Sequence, residues 1–226
     1  MTNLLKYCCL SLLALPAALG QVIVYDNTST SLDYNFSIGT IEVGDQIILA
    51  GTDRNPSEFT FAYFGVNLAV TAEARIRFYA NDGPLVSGFA SPGTVLFDTG
   101  FFPAVNTAPF SFIIDDFSAG SGALIPFTGL LPDSFTWSIQ FQNIGGGTAG
   151  VPLYSTPTIG NNYTDYWDRT GGNWTLKVAP IGGPSHMDFY AQLVAVPEPS
   201  AYGLAGGILA LIFAARRIVS RKNGLS

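Results

Sequence analysis

Cysteine and histidine are almost absent from this sequence. The only cysteines, Cys8 and Cys9, are adjacent and lie in an apolar stretch near the amino terminus, and His186 is the single histidine. If that stretch is removed, neither a disulfide framework nor a cysteine-based zinc site can hold the rest of the chain together. One histidine also argues against histidine-rich metal sites. We therefore expect a fold that is held by its core alone.

Basic residues are scarce in the body of the chain. The segment from Gln21 to Ala195 has fifteen acidic residues and a formal net charge of −10. Its five basic residues are Arg54, Arg75, Arg77, Arg169 and Lys177. Nucleic-acid binding depends on clustered lysine and arginine, so this acidity argues against DNA or RNA as a partner.

Blocks rich in alanine, glutamate and lysine are also missing, so helix-forming composition is scarce. The apolar residues instead alternate with polar ones in Phe135–Phe141, Ala74–Phe78 and Trp174–Val178. A period of two predicts strands with one buried face and one face in solvent. Shorter candidate strands are Val22–Tyr25, Tyr34–Ile38, Gln46–Leu49, Phe59–Phe64, Val95–Phe97, Phe110–Ile114 and Met187–Val194.

Turn-forming residues separate these runs, as in Asn81-Asp82-Gly83-Pro84 and Gly145-Gly146-Gly147. About ten short strands without helical segments between them predict an all-β domain with antiparallel pairing. We expect an antiparallel β-sandwich of jelly-roll type over residues 21–195, and an immunoglobulin-like sandwich is the alternative.

The first twenty residues have the features of a secretory signal peptide. Lys6 precedes an apolar stretch, and small residues stand at Ala18 and Gly20 before Gln21. The apolar stretch is shorter than the roughly 20 residues that span a bilayer. We predict a signal helix over residues 1–20 that signal peptidase cleaves near Gly20, and a retained anchor is the less favoured alternative.

The carboxyl-terminal region contains a second apolar segment, from Ala201 to Ala215. As a helix it would rise about 22 Å, which is short of the roughly 30 Å hydrocarbon core. The basic residues that follow, beginning with Arg216 and Arg217, are expected to stay on the cytoplasmic side and leave the β domain outside.

The whole tail, residues 196–226, resembles the PEP-CTERM sorting signal of Gram-negative bacteria. The resemblance rests on a motif, a glycine-containing apolar helix at about 201–215 and a basic end; its motif residues are Val196, Pro197, Glu198, Pro199, Ser200, Arg216 and Arg217. It implies recognition by a membrane-embedded exosortase, cleavage near the motif, and delivery to the cell surface or extracellular matrix. The body of the chain resembles β-rich cargo domains that accompany this tail and have no assigned activity.

One stretch of the body, residues 155–172, combines aromatic and polar side chains. Flat rings beside carboxylates suit a sugar, which stacks its C–H face and hydrogen-bonds through its hydroxyls. Its candidate carbohydrate-binding residues are Tyr163, Asp165, Tyr166, Trp167 and Asp168. The alternative is that these aromatic rings cap an open end of the sandwich.

Metal-binding and catalytic motifs are not evident. Asp165 with Asp168, or Asp115 with Asp116, could contribute to a calcium site, but neither pair has the spacing of a known calcium loop. No single motif pairs two carboxylates or a nucleophile with a base. We expect no cofactor and no catalytic activity.

The leading hypothesis is a secreted, surface-sorted structural or adhesive protein of the bacterial extracellular matrix, with exopolysaccharide as a candidate ligand. A polysaccharide-acting hydrolase or lyase is the competing hypothesis. A facing carboxylate pair in a concave groove would favour that enzyme. The third hypothesis is a single-pass membrane protein with an external β domain, whose tail is never cut.

Overall fold

The computed structural model describes residues 20–107, 129–179 and 183–196. Several expectations concern residues outside these ranges: nearly all of the signal peptide, the strand Phe110–Ile114, the aspartates Asp115 and Asp116, and the sorting signal after Val196. In the ranges that are described, no helix has the length and apolarity needed to cross a membrane. Gln21–Val196 forms one compact unit.

The described part of this unit is built from seventeen strands and contains no helix. In chain order, β1 to β17 span Val22–Asn27, Ser31–Ser37, Glu42–Ile48, Asn55–Phe61, Phe64–Val66, Glu73–Ala80, Leu85–Val86, Phe89–Ala90, Val95–Asp98, Phe102–Pro103, Ser134–Gln142, Thr148–Tyr154, Asn161–Asn162, Asp165–Thr170, Asn173–Val178, Asp188–Phe189 and Ala191–Val196. Every pairing between them is antiparallel, which confirms the predicted all-β class.

The strands form one large sheet, two smaller sheets and a short hairpin. The large sheet has the order β10-β6-β11-β3-β14-β15, with β9 beside β6 and β13 beside β3. The smaller sheets are β1-β17-β4 and β16-β12-β2, with β5 also paired to β12, and β7 pairs with β8 in the hairpin. The chain passes repeatedly between the large sheet and the smaller ones, so most neighbouring strands are distant in sequence.

The core lies between the large sheet and both smaller sheets. Trp137 on β11 contacts Phe59 on β4 and Phe189 on β16, with ring centroids 5.4 and 5.7 Å apart. Phe78 on β6 meets Phe59 edge-on at 4.9 Å. These contacts belong to one continuous apolar cluster, an arrangement that is consistent with a β-sandwich.

Among the strands that the alternation pattern does not predict, β12 and β14 are the longest. β12 contains Gly150 and Pro152, which argue against a strand by composition. A Cβ at position 150 would lie 2.0 Å from the carbonyl oxygen of Phe36 and 2.7 Å from the Phe64 ring, so close packing requires glycine there. β14 carries polar residues on both faces, and for this reason it resembles a loop in the sequence.

Candidate functional site

The outer face of the large sheet, which is turned away from the main core, carries the most concentrated set of charged side chains. Strand register places Glu42 of β3 opposite Arg169 of β14, and Ser138 of β11 opposite Arg77 of β6. All four residues therefore share this face. Ser138 is expected to be in solvent from the sequence, as is Thr136 on the same strand. Both are instead fully buried, and their hydroxyls donate to Glu42 and Asn81, respectively.

Glu42 is the centre of this outer-face network and is only 3% exposed. Its Oε1 accepts hydrogen bonds from the Ser138 hydroxyl at 2.7 Å and the Tyr79 hydroxyl at 2.9 Å. Its Oε2 accepts from Nη1 of Arg77 at 2.7 Å and Nη1 of Arg169 at 3.1 Å. One buried carboxylate is thus compensated by two guanidinium groups, as a buried charge requires.

Tyr79 links the same groups. Its hydroxyl oxygen also accepts from Nη1 of Arg77 at 2.9 Å and from Nη1 of Arg169 at 3.2 Å. Burial, reinforced by the charge of Glu42, raises the pKa of Tyr79 to about 12. The phenol is therefore a neutral hydrogen-bonding group at ordinary pH and is poorly suited to act as a base.

A second carboxylate, Asp98 on β9, holds the other side of the network. Nε of Arg75 donates to Asp98 Oδ1 at 2.7 Å, and Nε of Arg77 lies 3.3 Å from Asp98 Oδ2. Burial alone would raise the pKa of Asp98, but hydrogen bonds from Arg75 and from the Gly100 N–H outweigh it and lower the pKa. Three arginines are thus held by two carboxylates.

Aromatic rings flank these arginines. The Arg75 guanidinium lies 5.3 Å from the centroid of the Phe101 ring, and that of Arg169 lies 5.5 Å from the Trp174 ring. Trp174 also meets Tyr79 edge-on at 5.4 Å. The sequence predicts a buried face for Trp174, Leu176 and Val178; Trp174 is instead half-buried and Val178 is 76% exposed, because β15 is the edge strand of the large sheet.

Two clefts open beside this network, with volumes of about 460 and 540 Å³. Both are lined by Arg75, Arg77, Arg169 and Gly172. We call the combined depression the arginine groove; Tyr79 and Trp174 line its first cleft, and Phe101, Gln140 and Gln142 line its second. Three of the five basic residues between Gln21 and Ala195 meet in it.

The residues that the sequence suggests for sugar binding do not form one aromatic platform. Trp167 lies on the outer face of β14 but is 1% exposed, so no ring face is open for stacking. Tyr166 points to the opposite face, where it packs edge-on against Phe36 at 5.1 Å. Asp165 and Asp168 are half-buried on opposite faces of the same strand.

Tyr163 is the most exposed of the predicted aromatic residues, at 38%. It packs against Phe89 of the β7–β8 hairpin at 6.2 Å, and it lines a cleft with Asn81 and Gln46 that is distinct from the arginine groove. Of the predicted sorting residues, only Val196 is described, and it ends β17 opposite Asn55.

Sequence reasoning does not find the arginine groove, because its members come from distant parts of the chain. Glu42 and Arg169 are separated by 127 positions. One signal is present: Arg75 and Arg77 alternate with apolar residues on one strand of a domain that has very few cations. That pattern places both guanidinium groups on one face, but it does not reveal their partners.

A second unusual feature is a pair of carboxylates inside the core, Asp45 on β3 and Asp188 on β16, both fully buried. Burial raises the pKa of Asp45 well above its usual range, and the charge of Asp188 adds to this effect. Burial likewise raises the pKa of Asp188 to about 7. Neither residue lines the clefts described above, so the pair is not the groove-facing pair expected of a polysaccharide-acting enzyme.

Comparison of the chain with models of protein families found no match, and comparisons with curated proteins and with solved structures found none either.

Proposed function

We propose that this chain is an exported, surface-sorted protein of the extracellular matrix whose β domain binds an acidic polysaccharide in the arginine groove. Its role is structural or adhesive rather than catalytic. The observation that carries the proposal is the convergence of Arg75, Arg77 and Arg169 beside Trp174 in a domain that is otherwise strongly acidic.

The groove combines the two elements that acidic sugars need. Guanidinium groups match the planar geometry of a sugar carboxylate and donate paired hydrogen bonds to it. The side chains of Arg75 and Arg169 remain 26% and 33% exposed, so both can donate to a ligand without leaving their carboxylate partners. Trp174 offers an aromatic ring for the C–H face of a sugar.

The charge of the domain limits how such a ligand is recognised. A net charge of −10 from Gln21 to Ala195 repels a polyanion at long range. Within the groove, however, three arginines face two carboxylates, which leaves a local excess of positive charge. We expect short-range recognition of individual sugar carboxylates rather than electrostatic capture of a whole chain.

For the fold, we propose a jelly-roll-type sandwich rather than the immunoglobulin-like alternative. The support is that the chain alternates between sheets: β3 and β6 lie in the large sheet, whereas β4, β12 and β17 lie in the smaller ones. Central strands of the large sheet are consequently joined by long crossovers rather than by hairpins, as expected of Greek-key connections.

The proposed route begins with signal peptidase at residues 1–20 and ends with an exosortase at residues 196–226, the membrane helix being a temporary anchor. Intact-mass analysis of the exported protein tests this route. Loss of both segments is expected. An uncut tail would instead support the alternative of a single-pass membrane protein with an external β domain.

Binding can be tested with the full-length chain on an array of uronate-containing and neutral polysaccharides. Trp174→Ala should reduce retention on acidic polysaccharides by at least about tenfold. The substitution removes both the ring that stacks on the sugar and the contact of that ring with the Arg169 guanidinium. Tyr163→Ala is the matched control, because Tyr163 is an exposed aromatic residue outside the groove. Equal binding by both variants, or loss with Tyr163→Ala alone, would refute the groove as the site.

The competing hydrolase or lyase hypothesis is tested in the same samples. New reducing ends or unsaturated uronates released from any bound polysaccharide would identify an enzyme.

A further inference from the structure

The two buried core carboxylates lack the partners that buried charges require. Asp45 Oδ2 accepts a hydrogen bond from the Phe189 N–H at 3.0 Å. Its Oδ1 and both oxygens of Asp188 have no hydrogen-bond partner in the part of the chain that is described. Three of the four carboxylate oxygen atoms thus lack a hydrogen-bond partner among the described residues. Both residues are fully buried, and they come from two different sheets.

In the described ion pairs, no arginine neutralises the charge of Asp45 or Asp188. Arg54 pairs with Asp133, and the other three arginines of the domain pair with Glu42 or Asp98 on the outer face. The nearest cationic candidate is the His186 imidazole, whose Nδ1 is 3.7 Å from Asp188 Oδ2, beyond hydrogen-bonding distance. A buried, unpaired pair of carboxylates is stable only when it takes up a proton or when a cation binds between the two groups.

Two further polar side chains lie near the pair. The Asn162 amide is close enough to lower the pKa of both carboxylates, and its Nδ2 lies 3.4 Å from the Tyr25 hydroxyl. The half-buried carboxylate of Asp165 is also within electrostatic reach of both aspartates. Rotation of the Asn162 side chain can present its amide oxygen in place of the NH₂ group.

We propose that Asp45, Asp188 and Asn162 bind a calcium ion that joins the large sheet to the β16-β12-β2 sheet. The ligand atoms of the proposed site are all oxygens, which favours a hard cation. The described residues contain no group of three or more aspartate, glutamate, histidine or cysteine side chains that could hold a metal. Calcium does not need one, because amide, hydroxyl and backbone oxygens complete its coordination.

This site differs from both calcium sites suggested by the sequence. Asp168 instead accepts a hydrogen bond from the Thr170 hydroxyl at 2.7 Å, and Asp115 and Asp116 are outside the described residues. The inference is also independent of saccharide binding, since the arginine groove lies on the outer face of the large sheet and contains neither Asp45 nor Asp188.

The test uses the full-length chain, stripped with EDTA and then melted in EDTA, in CaCl₂ or in MgCl₂, together with elemental analysis of bound metal. Calcium at a hundredfold excess over its dissociation constant should raise the melting temperature by about 5 °C, with one calcium per chain. Magnesium should have a smaller effect, because it demands a near-octahedral site.

Asp188→Asn should remove the calcium-dependent shift while leaving the chain folded, since an amide of the same shape carries no buried charge. Asp45→Asn should also remove the calcium-dependent shift. This second variant shows whether the loss depends on the site or only on the substitution at position 188. Asp133→Asn, at a carboxylate that is 88% exposed, should keep the full shift. Identical melting in all three buffers, a shift that persists in both core variants, or a larger response to magnesium would each overturn the calcium site.

Discussion

The two faces of the large sheet are made by the same strands, yet their side chains are buried in different ways. On the inner face, Trp137 and Phe78 pack against aromatic residues of the smaller sheets, and the contacts are apolar ring contacts. On the outer face, Glu42, Arg77 and Tyr79 are nearly as well buried, but hydrogen bonds and opposite charges satisfy them. Apolar packing holds the first face and electrostatic pairing holds the second.

This difference indicates which face can serve a ligand. An apolar core gains from being closed, because every contact excludes water. A charged network at a cleft keeps donors such as Arg169 partly exposed, so the same groups can hold the sheet and still contact a ligand. Substitutions on each face should therefore affect stability and binding in different proportions.

The largest effect is expected on the inner face, from Trp137→Ala. Trp137 is fully buried against Phe59, Phe61 and Phe189, and its removal leaves a large cavity. We expect a loss of about 4 kcal/mol in the free energy of unfolding, measured by urea denaturation. Saccharide binding by the fraction that remains folded should not change.

Trp137→Phe is the control for that substitution. It keeps a ring in the core and removes the indole N–H, which has no hydrogen-bond partner among the described residues. We expect a loss of less than half that of Trp137→Ala. A similar loss for both variants would show that ring packing is not what stabilises this face.

An intermediate effect is expected on the outer face, from Glu42→Gln. The change removes the charge shared by Arg77 and Arg169, and Arg77 is only 8% exposed. Breaking a buried pair in this way should cost about 3 kcal/mol of stability. Because the groove becomes more positive, binding of acidic polysaccharide should strengthen, so stability and affinity should move in opposite directions.

Asp133→Asn is the matched control for Glu42→Gln. Asp133 also pairs with an arginine, Arg54, but its side chain is 88% exposed, so the pair should contribute less than about 1 kcal/mol. If Glu42→Gln cost no more than Asp133→Asn, or weakened polysaccharide binding, the outer face would not be an electrostatic network of the kind described above.

The smallest effect is expected at alkaline pH, from Tyr79→Phe. The pKa of Tyr79 is raised in the folded state to about 12, above the usual 10, so the folded protein holds the phenol proton more tightly. This stabilisation is fully present below pH 10 and is lost as the pH rises toward 12. Between pH 9 and 11, wild type should lose about 1 kcal/mol more than Tyr79→Phe.

Urea denaturation at pH 9 and 11, compared with ultraviolet titration of the phenols, measures this difference. The comparison must be made between wild type and variant, because other buried tyrosines such as Tyr25 also have a raised pKa. Parallel losses in the two proteins would contradict a buried, hydrogen-bonded Tyr79.

Much of the fold could be predicted from local patterns. Alternation identified β6, β11 and β15, since residues two apart must lie on one face of a strand. It could not identify β12. Gly150 is required there because the Phe36 backbone of the partner strand β2 lies too close to leave room for a side chain, and the sequence does not show that contact. Nor could it show that Thr136 and Ser138 are buried, because their hydrogen-bond partners, Asn81 and Glu42, are distant in sequence.

The candidate site was much less predictable. The aromatic residues of 155–172 attract notice by composition, but Trp167 is buried and Tyr166 lies on the opposite face of its strand. Trp174, which does line a groove, looks like an ordinary core residue in the sequence. Its place at the edge of the large sheet, next to Arg169, depends on strand order, which alternation does not specify.

The sequence by itself determined the all-β class, the acidity of the domain and the absence of a disulfide framework within it, because these follow from composition and from a period of two. The tertiary structure alone decided which residues meet. It brought Glu42 to Arg77, Arg169 and Tyr79, and it placed Asp45 beside Asp188. Antiparallel pairing of distant strands sets those contacts, and the energy of a buried charge depends on its neighbours in space rather than on its neighbours along the chain.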